Sequence, residues 1–537
     1  MSVQNLTTER EVTNARETTV RGGSEEKKKF EWIVLAALAL GFALRWKAAL
    51  GTYLNPDEAL HYALINQTSV WKAYLASLTN AHPPLYFVFL YFWHFVGNSE
   101  FMLRLPSVVA GTAACWLAYR WAALAIHRAA GLVTLLLLTF SPVLIRLGGE
   151  VRDYSLLILC MAGALYFLER AFRDQKISSI AWSSLFLYLA ILTHYSALWF
   201  VLSIGCYGLV RLPSLAPRLR VVWAGSQLVG AAMYVWLYVT HISKIHESPM
   251  ETEAMTGWLS AEYLRAGQNP LEFLVHATLS VFQFLFASVP GGNAALLLWI
   301  GGVLGVLIRS AVKRRGRQAA FGLLLLLPFA FGMSAALLDL YPYGGTRHNI
   351  YLILFAAAGV AIAVSTLLLE STIPILVVAA IALPYSYLHP LPDPQQMDRA
   401  EQKVELMRDV LSYVRTSVRP AEPIFTDYQA SILLAYYLGR DQPPAPPVSC
   451  AGLSQVRYGP YSVVVIDKWS ATAAELEGAL QSWRAACDPT PRDSYWVFDA
   501  GWGLNLLDDL KQSAPGSISE ARKYAQTISL FRAAVRR

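Results

Sequence analysis

From residue 32 onward the chain alternates long apolar runs with short polar interruptions, and the runs recur near the length of a bilayer-crossing helix, about 20 residues. Eleven stretches fit: 32–50, 103–123, 130–147, 154–171, 177–193, 196–211, 220–240, 292–310, 319–339, 348–368 and 372–388. Two others are ambiguous. Leu85 to Val96 is 12 residues, about 18 Å of helix against a hydrocarbon core of about 30 Å, too short to cross comfortably. The stretch 271–289 is long enough, but it carries Glu272, His276 and Gln283 and is parted from the next run only by "PGG". Beyond residue 390 the pattern changes. "MDRAEQKVELMRDVLSYVRTSV" puts Val404, Met407, Val410, Leu411 and Val414 on one helical face. "EPIFTDY" and "YSVVVIDKW" predict buried strands and "AAELEGALQSWRAAC" a second amphipathic helix.

Composition agrees with the runs. With 55% hydrophobic residues, 15% charged residues and a mean hydropathy of +0.39, the chain cannot fold as a soluble domain without leaving apolar surface in water. The net charge of +7 does not indicate nucleic acid, because Lys and Arg concentrate in short loops between runs, as the positive-inside rule requires. Those loops also settle the ambiguity. With eleven spans and two interfacial or re-entrant helices, Arg120, Arg128, Arg170, Arg173, Lys176, Arg211, Arg218, Arg220, Arg309, Lys313, Arg314, Arg315 and Arg317 are all cytoplasmic. Thirteen spans would move several of them outside, and that threading is the alternative.

The expected organisation is a cytoplasmic N-terminal tail at 1–31 followed by a transmembrane domain at 32–389 with a first outer loop at 51–102. A soluble extracytoplasmic α/β domain at 390–537 completes it. The run after "EEKKK" reads as an uncleaved signal anchor. Cys450 and Cys487 both fall in the polar tail, where a disulfide can form if that tail lies outside the cytoplasm.

The eleven-span threading has a consequence for chemistry. Asp57 and Glu58 in "LNPDEAL", His82 in "NAHPP", Arg104 in "MLRLPS", Glu150, Arg152 and Asp153 in "GGEVRDYS", His194 in "LTHYS", and Arg347 and His348 in "YGGTRHN" all fall on the outer side. A lone polar residue at a span end usually just meets water and headgroups, but short loops between packed helices must bring some of these together. A transporter would hold its charges nearer the midplane. Charges at one face suit a lipid-linked substrate whose head projects from the bilayer: a carboxylate can act as general base on an acceptor hydroxyl, and arginines can clamp a phosphate.

In order and spacing, "PDE", "HPPLYF", "RLPS", "EVRDYSLL" and the "RH" that opens a late span resemble the GT-C membrane glycosyltransferases. Within these the chain is similar to the protein O-mannosyltransferase and aminoarabinose transferase groups of glycosyltransferase family 39 and its bacterial neighbours. The resemblance implies a polytopic α-helical enzyme of the cytoplasmic membrane with its active site outside. It would be an inverting transferase that moves a sugar from a polyprenyl phosphate to an envelope lipid, glycan or protein. Asp57 maps to the catalytic carboxylate, with Glu58 as a catalytic neighbour that contacts the acceptor or tunes the base, since two close carboxylates resist ionising together. Arg104, Arg347 and His348 map to donor phosphate ligands; His82, Arg152, Asp153 and Tyr62 are candidate substrate contacts. Arg45, near the outer end of the first span, is best explained as a snorkelling side chain. No cofactor is expected, because arginines can hold a phosphate leaving group without a metal; a divalent ion is the alternative. The chain departs from eukaryotic protein mannosyltransferases in having no inserted β-rich domain between spans. The rival readings are an oligosaccharide ligase using a lipid diphosphate donor and a non-catalytic lipid or glycan transporter.

Overall fold

The computed structural model describes residues 28–246, 255–391, 398–420, 422–440, 442, 446–502 and 506–535. Most of the N-terminal tail expected at 1–31 therefore lies outside the described residues. Among those described, seven helices are long and apolar enough to cross a membrane: Glu100–Ala125, Tyr154–Asp174, Ala197–Ser214, Pro217–Ile245, Val289–Lys313, Gly316–Leu337 and Arg347–Leu367. Four shorter apolar helices, Arg128–Thr139, Ile177–Thr193, Pro270–Leu285 and Thr372–Leu388, accompany them, and a further helix occupies residues 28–48. Leu85–Trp93 is a nine-residue helix, about 14 Å long.

One expected span is not continuous. The run 130–147 breaks after Thr139, and a separate turn, Pro142–Leu147, starts behind the N-cap of Ser141 with Pro142 in its first position. Arg45 serves the break. Its guanidinium is buried and donates to the carbonyls of Leu138 and Thr139, at 3.1 and 3.2 Å, and to that of Gly41. A helix end inside a bundle leaves carbonyls without partners, and Arg45 supplies them rather than snorkelling.

Where helices touch, small residues let the backbones approach. A side chain on Gly302 would meet the carbonyl oxygen of Gly359, and Trp299 packs over Gly359 in turn, which binds Val289–Lys313 to Ile353–Leu367. At one end of Tyr154–Asp174 the buried Glu169 gathers Arg211 at 3.8 Å, Arg317 at 4.0 Å and the Tyr207 hydroxyl. Asp153 stands at the start of the other end without a side-chain capping bond, and 16 residues of helix separate the two, roughly 24 Å. The Arg-rich loops and the outer-loop acids thus sit at opposite ends of the bundle.

The C-terminal region builds a seven-stranded mixed sheet. The strands are β1 (Pro423–Asp427), β2 (Val448–Cys450), β3 (Leu453–Tyr458), β4 (Tyr461–Ile466), β5 (Ser494–Ala500), β6 (Ile518–Ala525) and β7 (Ile528–Ala534), in the order β2-β3-β4-β1-β5-β7-β6. The central β1 runs parallel to β4 and β5, and the outer pairs are antiparallel. Strand alternation divides the core. Phe425, Val464, Tyr495 and Val497 face helices Ala473–Ala486 and Leu506–Ser513. Ile424, Val463, Trp496 and Phe498 face Val404–Ser417 and Tyr428–Gly439 and, beyond them, Tyr53, Leu54, Tyr62, Ile65 and Phe87 of the first outer loop. Cys450 and Cys487 form a disulfide.

Candidate functional site

The local sequence Asn55-Pro-Asp-Glu makes a helix start. Asn55 caps Pro56–Ile65, Pro56 takes a first-turn position, and Glu58 closes a capping box: Asn55 Oδ1 accepts from the Glu58 N–H at 2.9 Å while Glu58 Oε2 accepts from the Asn55 N–H at 3.0 Å. Neighbours on a helix point about 100° apart, so the two carboxylates serve different partners. Glu58 is fully buried and takes a two-pronged pair of hydrogen bonds from Arg104 Nε and Nη2, both 2.7 Å, plus the Val151 N–H at 2.8 Å. Arg104 spends its remaining donors on Ala49 O, Thr52 O, Thr52 Oγ1 and Tyr53 O, at 2.9 to 3.2 Å. With every guanidinium nitrogen engaged, Arg104 offers nothing to a phosphate, and Glu58 has no carboxylate oxygen left for an acceptor. That pair joins the first outer loop to the start of Glu100–Ala125 and to the "GGEVRDYS" loop.

Asp57 is placed differently. Its carboxylate is 14% exposed and is gripped by Arg152 and, at 2.8 Å, by Arg347. Three loops that are distant in sequence thus converge on one carboxylate. One turn further along the helix, the ring of His61 lies 2.6 Å from the Asp57 carbonyl oxygen through Nδ1 and stacks on Phe87.

Behind Asp57 lies a group of imidazoles around one acid. His82 Nδ1 is 3.3 Å from Asp153 Oδ2, and the His82 ring lies 5.0 Å from His194 and 5.9 Å from His61. Burial pushes His82 down to about 3, with the Arg347 charge adding to it, and lowers His61 to about 3. It raises Asp153 to about 6 and Glu150 to about 7, in the latter case with the Glu58 charge adding to it. The histidines are therefore neutral at ordinary pH.

Beside the Arg347 and Glu58 side chains is a small cavity of about 30 Å³ lined by Arg146, Glu150, Arg347, Arg399, Gln402 and Trp502, among others. Arg399, Gln402 and Trp502 come from the C-terminal region. Its approach is fixed by main-chain pairing of Thr52 with Lys403, by Gln402 Nε2 donating to Tyr53 O at 2.7 Å, and by Gly501, where a Cβ would press on Gln429 and Pro56.

Residues 81–240 match the family model described as dolichyl-phosphate-mannose-protein mannosyltransferase. That match covers less than a third of the chain. Its fold is similar to that of ArnT from Cupriavidus metallidurans. The structure of that protein bound to undecaprenyl phosphate gives a TM-score of 0.55 at 14% identity, covering 94% of this chain and 98% of the other. The apo form gives 0.54 at 14% identity with the same coverage. The oligosaccharyltransferase of Archaeoglobus fulgidus, in complex with Zn and sulfate, gives 0.40 at 15% identity over 71% of this chain; the chain spans 55% of that protein's length. No curated protein matches the chain.

Asp57, Arg152 and Arg347 meet, and His82 with Asp153 lies behind them. Of the other candidates, His348 stands within electrostatic reach of Arg347, His82 and Arg152, whereas Tyr62 stands apart. Tyr62 is buried against the Tyr436 ring, 4.9 Å away, with its hydroxyl on the Arg440 carbonyl, so it joins the first outer loop to the C-terminal region rather than facing a substrate. The His348 ring lies 5.6 Å from Trp258. Sequence reasoning passed over His61, although its i+4 relation to Asp57 puts both on one helical face. It also passed over Arg146, Arg399, Gln402 and Trp502, which carry no local signal because tertiary packing alone brings them to the cavity.

Proposed function

We propose that the protein is an inverting glycosyltransferase that moves a sugar from a polyprenyl phosphate to an acceptor hydroxyl at the outer face of the membrane. The observation that carries this reading is Asp57 held between Arg152 and Arg347 with part of its carboxylate exposed. The separation of Asp57 from Arg347, 2.8 Å, suits one site in which a proton acceptor and a phosphate clamp act together. In the resting state the guanidinium groups neutralise Asp57. An arriving lipid phosphate competes for them, which frees the carboxylate to take the acceptor proton. The acceptor oxygen then forms its bond to the anomeric carbon from the face opposite the leaving group. The bond from that carbon to the phosphate oxygen breaks, and the charge that develops on the departing lipid phosphate falls to Arg347 and Arg152. The pair Glu58–Arg104 is assigned a scaffolding role, in place of the tuning and phosphate-binding roles that the resemblance suggested.

The undecaprenyl phosphate bound in the ArnT structure supports a polyprenyl-phosphate donor. The Cys450–Cys487 disulfide supports an oxidising, extracytoplasmic side for the C-terminal region, and the gathering of arginines around Glu169 supports the eleven-span threading with that end in the cytoplasm. The acceptor is an envelope molecule bearing a hydroxyl.

The test is turnover of a sugar-bearing polyprenyl phosphate by purified Asp57→Asn protein. A loss of about 10²- to 10⁴-fold is expected, with abundance and melting temperature close to those of the parent. Full turnover by a well-folded Asp57→Asn protein would sink the assignment. Movement of intact donor across the membrane with no sugar released would instead indicate a transporter.

A further inference from the structure

We propose that His82, Asp153 and His194 form a binding site for one divalent transition-metal ion. Each residue offers one ligand atom, and the three atoms all lie within 4.8 Å of one another. They come from three loops: the turn after Val70–Ser77, the residue before Tyr154–Asp174 and the residue after Ile177–Thr193. The His82 Nδ1 to Asp153 Oδ2 distance, 3.3 Å, equals the edge of a tetrahedron of ligands around a zinc ion, about 3.3 Å for bonds of about 2.0–2.1 Å.

The independent observation is a set of unmet hydrogen bonds. Among the described residues, His82 Nδ1, His194 Nε2 and both carboxylate oxygens of Asp153 are buried with no hydrogen-bond partner, apart from the 3.3 Å approach of His82 Nδ1 to Asp153 Oδ2, and Asp153 and His194 are almost wholly inaccessible. A single unsatisfied buried polar atom costs on the order of 1–3 kcal/mol. One atom from each side chain lies within 4.8 Å of the other two, and a cation bound by their lone pairs satisfies all three side chains at once.

The surroundings bear on the choice of ion. Two imidazoles and one carboxylate form a borderline nitrogen and oxygen set suited to zinc, cobalt or manganese rather than calcium or magnesium. Three protein ligands leave a fourth position open. The guanidinium groups of Arg152 and Arg347 would repel a cation, but both are turned onto Asp57. The Ser196 backbone N–H donates to His194 Nδ1 at 3.0 Å, which leaves the proton of the neutral ring on Nε2; metal binding through Nε2 moves that proton to Nδ1, where Ser196 Oγ, 2.8 Å away, accepts it.

The test uses the full chain in detergent, stripped with a chelator and titrated with Co²⁺, read by ligand-field absorption, and with Zn²⁺, read by elemental analysis. One equivalent of tightly bound ion is expected. His82→Ala and His194→Ala should each lower the affinity at least about 100-fold, and Ser196→Ala about 10- to 100-fold. His276→Ala, on an exposed side chain, should change nothing. X-ray absorption of the zinc-loaded parent, which depends on no variant folding, should show two imidazoles in the coordination shell. Absence of stoichiometric binding by the folded parent, a shell without imidazole, or undiminished binding by folded His82→Ala and His194→Ala proteins would each overturn the site. None of these readouts depends on sugar transfer.

Discussion

Two adjacent carboxylates have opposite fates in this protein. Glu58 is consumed by structure: a capping box, a two-pronged guanidinium pair and a third loop's N–H use up its oxygens. Breaking a buried ion pair by removing one partner strands the other charge. Glu58→Ala and Arg104→Ala should therefore each cost roughly 3–5 kcal/mol of stability, measured by thermal melting in detergent. The double variant Glu58→Leu with Arg104→Met should lose less than the sum. Arg104→Lys should not rescue, because an ammonium cannot reproduce a planar fork spread over Glu58, Thr52 and Tyr53. An additive double variant would show that the two side chains are not coupled. Asp57 carries the opposite prediction, loss of turnover without loss of fold.

At the scale of elements, close helix contacts and buried acids offer sharp tests. Gly359→Val should force Trp299 and the Val289–Lys313 helix outward, because a Cβ there would already lie 2.2 Å from the indole ring; a cost of about 1–3 kcal/mol or more is expected. Gly301→Val, one residue from the contact and facing open space, should be nearly silent in the same melting assay. In the sheet, Asp499 at the end of β5 accepts from the Leu506 N–H. Burial and then the nearby Asp427 charge push its carboxyl up to about 8. A folded-state value above the unfolded one, about 3.9, means that the folded state holds the proton more tightly. The contribution of this group is therefore complete below about pH 4 and is lost as the pH rises toward 8. Asp499→Asn should flatten the fall in melting temperature between pH 5 and pH 9; an unchanged pH slope would contradict this assignment. Most of these elements were legible in advance. The apolar runs and the period of residues 404–417 announced themselves, whereas the break at Thr139 did not, because an apolar run hides a helix end that only Arg45, from another helix, makes tolerable.

For the whole molecule, the C-terminal region and the first outer loop share one hydrophobic core, so neither is an independent attachment. The disulfide closes a separation of 37 residues, for which chain entropy gives roughly 4 kcal/mol. Cys450→Ser with Cys487→Ser should lower the melting temperature and, through that shared core, also weaken turnover at elevated temperature. A reporter fused after Lys176 should read as cytoplasmic; an external signal there would favour thirteen spans. Apolar length, charge bias and residue type are properties of local sequence, and by themselves they determined a helical membrane protein with a mixed C-terminal fold and marked Asp57 as the carboxylate proposed above. Local sequence does not encode which donors are already spent or which distant side chains arrive together. Packing alone decided that Arg104 faces Glu58 rather than a phosphate, that Arg152 and Arg347 close on Asp57, and that His82, Asp153 and His194 meet. Those pairings join residues from 41 to 290 positions apart, and they follow from burial, which forces each charge to find a partner wherever the fold places one.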